Sequence, residues 1–460
     1  MLGNGFSFYS LVEPGMWLVG TDTIGVLAQA ARFTLAIQLM TTALQSPDFY
    51  YIKTWKVLFI LLVPVMTLTF AISGLIAWGI LGMGVNAGFL VGGFVAPTGA
   101  LIFSVSCILL NHSSSFLFYF IRNNKTDPVI AASIVSGPFS ERRLRQGFRD
   151  MLTAESGAND GLGFPFVYLT VSVLTHSSNG ISQRLFSNWY FLVVVLIPSW
   201  YNFAGGAMAH WFLVVWLYDV VGGLMVGFLL GYGSGLLLLL SEWYHLIDKN
   251  NYFTFSTGLT FLVLGIARLL DMDEVFSVFA AGIGIYVYVY RKKNVLYLFL
   301  IHFLSCTFSA FGDVIREDQR IHELQVQEML NFVVTLAFFL VFGLDLPFDQ
   351  WAILGWRGPA LCVALLIFKR LPFVMAFHRL LKPHVGNWKE ALFLGWFGPV
   401  GVAAIYYAAT ARVKIGEALD MDLLWGVVTQ LVVFSVVVHG LTAVPFTWLL
   451  WRINKSQERT

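Results

Sequence analysis

Ala154-Glu155-Ser156-Gly157-Ala158-Asn159-Asp160-Gly161-Leu162-Gly163-Phe164-Pro165-Phe166 places two acids and an amide at the head of a hydrophobic segment that runs on to about Leu174. On a helix, residues i and i+4 are neighbours, so Glu155, Asn159 and, one position on, Asp160 share a side. An ionisable side chain inside a membrane helix costs roughly 2.5–3.5 kcal/mol on insertion scales, and it persists mainly where it pairs or handles an ion. The plainer reading is a helix N-terminus whose acids sit at the interface and favour the helix dipole.

Composition decides the class around that stretch. The chain is 58% hydrophobic and 12% charged, with a mean hydropathy of +0.75. Soluble domains carry about 25% charged residues, so this is an all-helical polytopic membrane protein and a soluble enzyme is excluded. A net charge of +2 with no basic block gives no footing for nucleic acid. Cys107, Cys306 and Cys362 lie in apolar segments without metal-ligand spacing, which implies neither a disulfide framework nor a metal cluster. No phosphate-binding loop is present, so ATP hydrolysis does not drive the protein and no cofactor is called for. The first residues have no basic region and cleavage site of the signal-peptide kind.

A span needs about 20 apolar residues. That criterion predicts segments near 26–44, 55–83, 87–98 continuing into 100–121, 128–137, 151–175, 189–204, 211–240, 252–270, 274–290, 294–310, 327–345, 351–377, 388–412 and 422–451. Segment 128–137 is too short to cross alone, 189–204 carries Pro198, and Gly398-Pro399-Val400-Gly401 breaks 388–412. Interrupted helices at membrane depth face protein or a polar cavity, and they point to transporter sites. Lys53, Lys56, Arg142, Arg143, Arg145, Arg149, Lys249, Arg379, Lys382, Lys389, Arg452, Lys455 and Arg459 mark cytoplasmic loops by the positive-inside rule. The acidic loops 271–274 and 345–349 then lie outside, and 11 crossings with the C-terminus inside satisfy the alternation.

Several motifs together resemble the monovalent cation/proton antiporters, in the fungal plasma-membrane Na+/H+ branch. They are Glu155-Ser156 with Asn159-Asp160 and Phe164-Pro165-Phe166, Gly92 to Thr98, Thr126-Asp127-Pro128-Val129-Ile130-Ala131-Ala132, and Trp396-Phe397-Gly398-Pro399-Val400-Gly401-Val402. Val278-Phe279-Ala280-Ala281-Gly282 and Val438-His439-Gly440 match as well, and the likeness runs from about 26 to 451. The resemblance implies an inverted-repeat fold with two crossed broken helices, of which about 11 of the usual 13 helices are present here. Core helices fall at about 55–175 and 351–451, and dimerisation helices at about 26–44 and 211–345, with a short cytoplasmic tail at 452–460. The breaks lie at Asp127-Pro128 and at Gly398-Pro399-Val400-Gly401, where opposed helix-dipole ends need neutralising side chains.

In that scheme Asp160 binds either Na+ or a proton, and competition for this one carboxylate suffices for exchange. Burial disfavours a bare charge, so the group takes up one or the other. Ser156, Asn159, Thr98, Thr126 and Asp127 are the supporting oxygen ligands for Na+, Li+ or K+. Asn159 does not titrate, which implies one-for-one, electroneutral exchange. Glu155 pairs with Arg370; the alternative for Arg370 is an interfacial anchor that snorkels. Gln45 is a possible accessory ligand, or an ordinary interface glutamine. Asp219, Arg268 and Asp273 read as solvated or interfacial charges. His176, His210 and His439 read first as hydrogen-bonded packing residues and second as pH sensors. The resemblance further implies a plasma-membrane homodimer that moves its core like an elevator and serves salt tolerance.

The sequence departs from the family pattern. The first two family helices are missing or replaced by residues 1–25, and the long hydrophilic tail of many fungal relatives is absent. Three excesses, at 99–126, 181–204 and 287–311, have the Phe/Leu/Ile/Val/Tyr/Ser composition of introns read in frame. Removing 99–126 restores Thr98 directly to Asp127-Pro128. The other reading is lineage-specific protein, in which case a non-transporting membrane protein or sensor becomes the alternative function. A channel would need several weak sites along a pore.

Overall fold

A computed structural model describes residues 23–45, 51, 54–98, 146–176, 204–244, 252–290, 317–416 and 419–457. Among these, every regular element is a helix. In chain order they are α1 (Thr23–Gln45), α2 (Trp55–Leu81), α3 (Val85–Val95), α4 (Gln146–Gly161) and α5 (Gly163–His176). Next comes α6, made of Ala204–His210, a π-helical stretch Trp211–Gly222 and Gly223–Trp243. Then follow α7 (Tyr252–Leu269), α8 (Glu274–Tyr290), α9 (Glu317–Leu344), α10 (Phe348–Leu354), α11 (Arg357–Phe368), α12 (Leu371–Phe377), α13 (Trp388–Trp396), α14 (Val402–Ile415) and α15 (Met421–Gln457). Among the described residues, five stretches are long and apolar enough to cross a bilayer: Thr23–Gln45, Trp55–Leu81, Ala207–Leu238, Arg357–Phe377 and Met421–Thr442. Helices α9 and α10 together make a sixth candidate, bent by 67°.

The breaks follow local chemistry. Pro64 has no N–H and its ring crowds the preceding turn, and the chain widens there into a π-turn over Leu61–Val65. Sequence periodicity predicts one segment over 351–377, whereas the chain stops at Phe368 and restarts at Leu371. Pro372 cannot donate to the Phe368 carbonyl, and it disfavours helical geometry just before itself. The predicted single segment 151–175 is likewise two helices separated by Leu162. Because α4 runs from Gln146 to Gly161, Glu155 lies in mid-helix and Asp160 in the last turn, and neither is at the N-terminus.

Lipid tails are as apolar as leucine, so membrane helices associate through close packing and internal hydrogen bonds. The α6–α8 pair shows this. Gly223, Gly227 and Gly231 form one small stripe on α6; a Cβ on Gly227 would overlap the Ser277 carbonyl, and one on Gly231 the Ala281 carbonyl. Helix α1 is fastened to α9 by Gln38 Nε2, which donates to Thr335 Oγ1 at 2.8 Å. The main apolar core joins α1, α3, α5, α8, α14 and α15 through residues such as Leu35, Phe94, Val167, Phe279, Ile405 and Leu431. It surrounds α4, which packs against both α1 and α8.

Thr126, Asp127, Pro128 and the stretch 99–126 lie outside the described residues, as do residues 1–22 and 181–203. The stretch 287–311 begins inside α8, which continues to Tyr290; residues 291–311 are outside the described set.

Candidate functional site

Three chain interruptions meet around α4. The first is Ala96-Pro97-Thr98 after α3, the second Lys369-Arg370 between α11 and α12, and the third Phe397 to Gly401 between α13 and α14. The break after Phe368 turns Arg370 inward, where it is 3% exposed. Its Nη1 donates to Glu155 Oε1 at 2.9 Å and its Nη2 to Glu155 Oε2 at 3.0 Å, a two-pronged pair between planar groups. Nη1 also donates to Thr98 Oγ1 at 2.6 Å. Gly398 is needed beside it, since a Cβ there would come within 2.7 Å of Arg370 Cδ and 3.2 Å of Thr98 Cγ2. The third break therefore lies directly against the guanidinium, placing a cation next to the carbonyl end of α13, where the helix dipole is negative.

Asn159 extends the cluster. Its Nδ2 donates to Glu155 Oε1 at 3.1 Å and to Thr98 Oγ1 at 2.5 Å. A carboxylate only accepts, so the amide nitrogen must face Glu155, and Oδ1 is turned the other way. That Oδ1 is buried without a hydrogen-bond partner among the described residues, and so is Asp160 Oδ1. Two adjacent residues thus present two unsatisfied hard oxygens, while the neighbouring acid, Glu155, is already neutralised. Buried acceptors without partners are rare in native structures, and this marks the two residues as a candidate site. Asp160 is 5% exposed and Ser156 7%. Tyr407 Oη donates to the Asp160 carbonyl at 2.7 Å and reaches that of Gly161 at 3.3 Å, so the backbone under the carboxylate is held by α14.

The third break is satisfied from α15. Val400 N–H donates to Ser435 Oγ at 2.8 Å, and His439 Nε2 lies 3.0 Å from the Trp396 carbonyl while its Nδ1 lies 2.8 Å from the Ser435 carbonyl. His439 is therefore a packing residue that closes the exposed end of α13. Lys369 is 3% exposed, and its Nζ has no partner among the described residues.

Of the residues singled out in the sequence, Glu155, Ser156, Asn159, Asp160, Thr98, Arg370, Gly398, Pro399 and Gly401 converge here. Gln45 ends α1, half-buried. Asp219 and Asp273, read from sequence as solvated or interfacial charges, are not solvated, being 7% and 2% exposed. Asp273 is buried because its Oδ1 caps α8, accepting from the N–H groups of Val275 and Phe276, both at 3.1 Å. Arg268 does remain exposed, at 65% of its side chain. Tyr406, Tyr407 and Ser435 were missed by sequence reasoning. The signal for the tyrosines was two adjacent phenols in an otherwise apolar half-helix immediately after a Gly-Pro break.

The chain is similar to known proteins over most of its length. Residues 100–449 match the family described as "Sodium/hydrogen exchanger, transmembrane". The chain is 26% identical to the Na(+)/H(+) antiporter of Saccharomyces cerevisiae over 90% of its own length, which is 37% of the yeast protein. It is 24% identical to Na(+)/H(+) antiporter 2 of Zygosaccharomyces rouxii, spanning 45% of that protein. A Schizosaccharomyces pombe Na(+)/H(+) antiporter is 26% identical over 94% of this chain and 79% of its own length. The chain thus spans less than half the length of two of these three relatives. Its fold resembles the sodium proton antiporter MjNhaP1 of Methanocaldococcus jannaschii, with a TM-score of 0.59 at 15% identity, covering 96% of this chain and 89% of the other. Broken helices around a buried acid, apolar spans and a family match over most of the chain give one conclusion: this multi-pass membrane protein belongs to the transmembrane sodium/hydrogen exchanger family.

Proposed function

We propose that the chain exchanges Na+ for H+ across a membrane, with cation and proton alternating on the Asp160 carboxylate. The supporting observation is the pair of partnerless buried oxygens, Asn159 Oδ1 and Asp160 Oδ1, beside a Glu155 already held by Arg370. Glu155 is then not the exchanging group, and Asp160 is the one carboxylate at the site left to take a cation or a proton. Ser156, and beyond the described residues Thr126 and Asp127, complete the oxygen shell. Thr98 acts one step back by accepting from both Arg370 and Asn159, and Gln45 is an accessory oxygen. One titrating group gives one-for-one, electroneutral exchange. Li+ and K+ use the same oxygens less or more well according to cavity size.

The same reading carries an elevator-like movement of the Asp160-bearing helices against α1 and α6–α9, a homodimer in the plasma membrane, and a role in salt tolerance. The deciding experiment reconstitutes the full chain in liposomes loaded with a pH-sensitive dye and applies Na+. Wild type alkalinises or acidifies the lumen according to the gradient, and Asp160→Asn does not. Equal rates for the two would overturn the assignment of Asp160. Addition of a potassium ionophore leaves an electroneutral rate unchanged.

A further inference from the structure

Arg32 of α1, Glu274 at the head of α8 and Tyr406 of α14 form a second buried polar cluster. Arg32 Nη2 pairs with Glu274 Oε2, and Tyr406 Oη donates to Glu274 Oε1 at 3.0 Å. Arg268 Nη1 lies 3.7 Å from the same Oε1. Glu274 is 3% exposed and Tyr406 7%.

The place of this cluster in the fold is what gives it meaning. Tyr406 stands next to Tyr407, which holds the Asp160 carbonyl. Arg32 and Glu274 belong to α1 and α8, the helices that flank α4. A Cβ on Gly157 would meet Thr42 Cγ2 and Phe279 Cε2 at 2.7 Å, and one on Gly161 would meet Phe276 Cγ at 2.9 Å. At these two glycines α4 thus lies close against methyl and aromatic carbons of its flanking helices. Two consecutive residues of α14 therefore do different jobs: one grips the ion site and the other grips its surroundings. Glu274 already has two guanidinium partners, so the phenol is not required to neutralise it. What the phenol adds is a directional bond from α14.

We propose that Tyr406 is a positioning residue: its hydroxyl, seated on the Glu274 carboxylate that Arg32 holds, latches α14 and the attached Asp160 site against α1 and α8 and so favours this arrangement over the alternative one in the exchange cycle. Breaking the latch redistributes molecules between arrangements without touching a cation ligand. The transport arm of the test rests on the Na+/H+ reading above; the distance arm does not.

The distance arm uses the full chain with Cys107, Cys306 and Cys362 replaced by alanine and spin labels at Val413→Cys on α14 and Leu269→Cys on α7, both positions 84% exposed. Pulsed electron resonance in liposomes is expected to show one dominant distance with Tyr406 present. Tyr406→Phe, which keeps the ring, lowers that population by about three-fold or more in favour of a second distance. Superimposable distributions would overturn the latch. In the transport arm, apparent affinity scales with the fraction of molecules in the binding-competent arrangement. Tyr406→Phe therefore moves the Na+ half-saturation in opposite directions on the two faces of the membrane. A purely structural role would lower the maximal rate and leave both half-saturations in place, which also overturns the proposal. If wild type exchanges no ions, the antiport reading fails while the distance arm still decides the latch.

Discussion

The guanidinium of Arg370 and the carboxylate of Glu155, 215 residues apart in sequence, meet through two parallel hydrogen bonds of 2.9 and 3.0 Å. Both side chains are at most 5% exposed. The pair joins the break between α11 and α12 to the middle of α4, and it leaves Asp160 one position beyond Asn159 without a counter-charge among the described residues.

Removing one member of that pair strands the other. Glu155→Gln or Arg370→Met is expected to cost about 3–5 kcal/mol each, because an uncompensated buried charge remains. The combined variant recovers part of the loss. Arg370→Lys behaves like a deletion, since a point charge cannot reproduce the two-pronged contact and the Thr98 bond together. Thermal unfolding of the purified protein in detergent, run as a double-mutant cycle, measures the coupling.

Gly398 tests the geometry of the break. Gly398→Ala drives a methyl to 2.7 Å from Arg370 Cδ, in a side chain anchored at its far end and unable to swing away. Overpacking of this kind costs about 1–3 kcal/mol. Exchange by liposomes should be lost or fall at least about ten-fold, which is what 1.4 kcal/mol on the barrier gives, while Ala substitution at Gly343, where a Cβ meets nothing within 4 Å, leaves the rate unchanged.

The close packing of α4 at Gly161 makes a compensated prediction. Gly161→Ala collides with the Phe276 ring, itself stacked 5.9 Å from Phe279. The single variant should slow exchange, and Gly161→Ala with Phe276→Ala should restore much of the rate. Initial rates of Na+-driven proton flux in the four proteins of the cycle check it.

Ser435 supports the break from α15. Ser435→Ala leaves the Val400 N–H buried and unpaired, a penalty of about 1–3 kcal/mol. The melting temperature is expected to fall, and Ser435→Thr, which retains the hydroxyl, to recover it.

The stretch 99–126 carries a genetic prediction. If it is a retained intron, mature transcript lacks its codons, and a chain with Thr98 joined to Asp127 supports growth in high salt better than the longer chain. Transcripts that keep all three excesses, together with full activity of the longer chain, would refute that reading.

Much of this architecture is legible in the sequence alone. Composition gave the membrane class, and Gly398-Pro399 gave the break after α13 because proline chemistry is local. Glu155, Asn159 and Asp160 could be set on one side of a helix from spacing alone. What periodicity could not reveal was the split at Lys369-Arg370, because apolar residues run unbroken on both sides and only Pro372 hints at it. Nor could it reveal that Asp273 is buried: an acid beside a helix start reads as solvated until the cap hydrogen bonds are seen. Tyr406 and Tyr407 illustrate the general limit, since their roles depend on partners 132 and 247 residues away, a separation on which helical periodicity is silent.

The glycine stripe of α6 against α8 has a mechanical meaning. Backbone there rests on backbone, with no side chain between Gly227 or Gly231 and the opposing carbonyls, so the pair has no soft layer to shear. In the exchange cycle proposed above, it would serve as a stator. Under that proposal, a displacement of the Asp160 helices would slide against a stiff wall that does not absorb it, and a methyl added at Gly227 or Gly231 would push the wall apart and misalign a site it never touches.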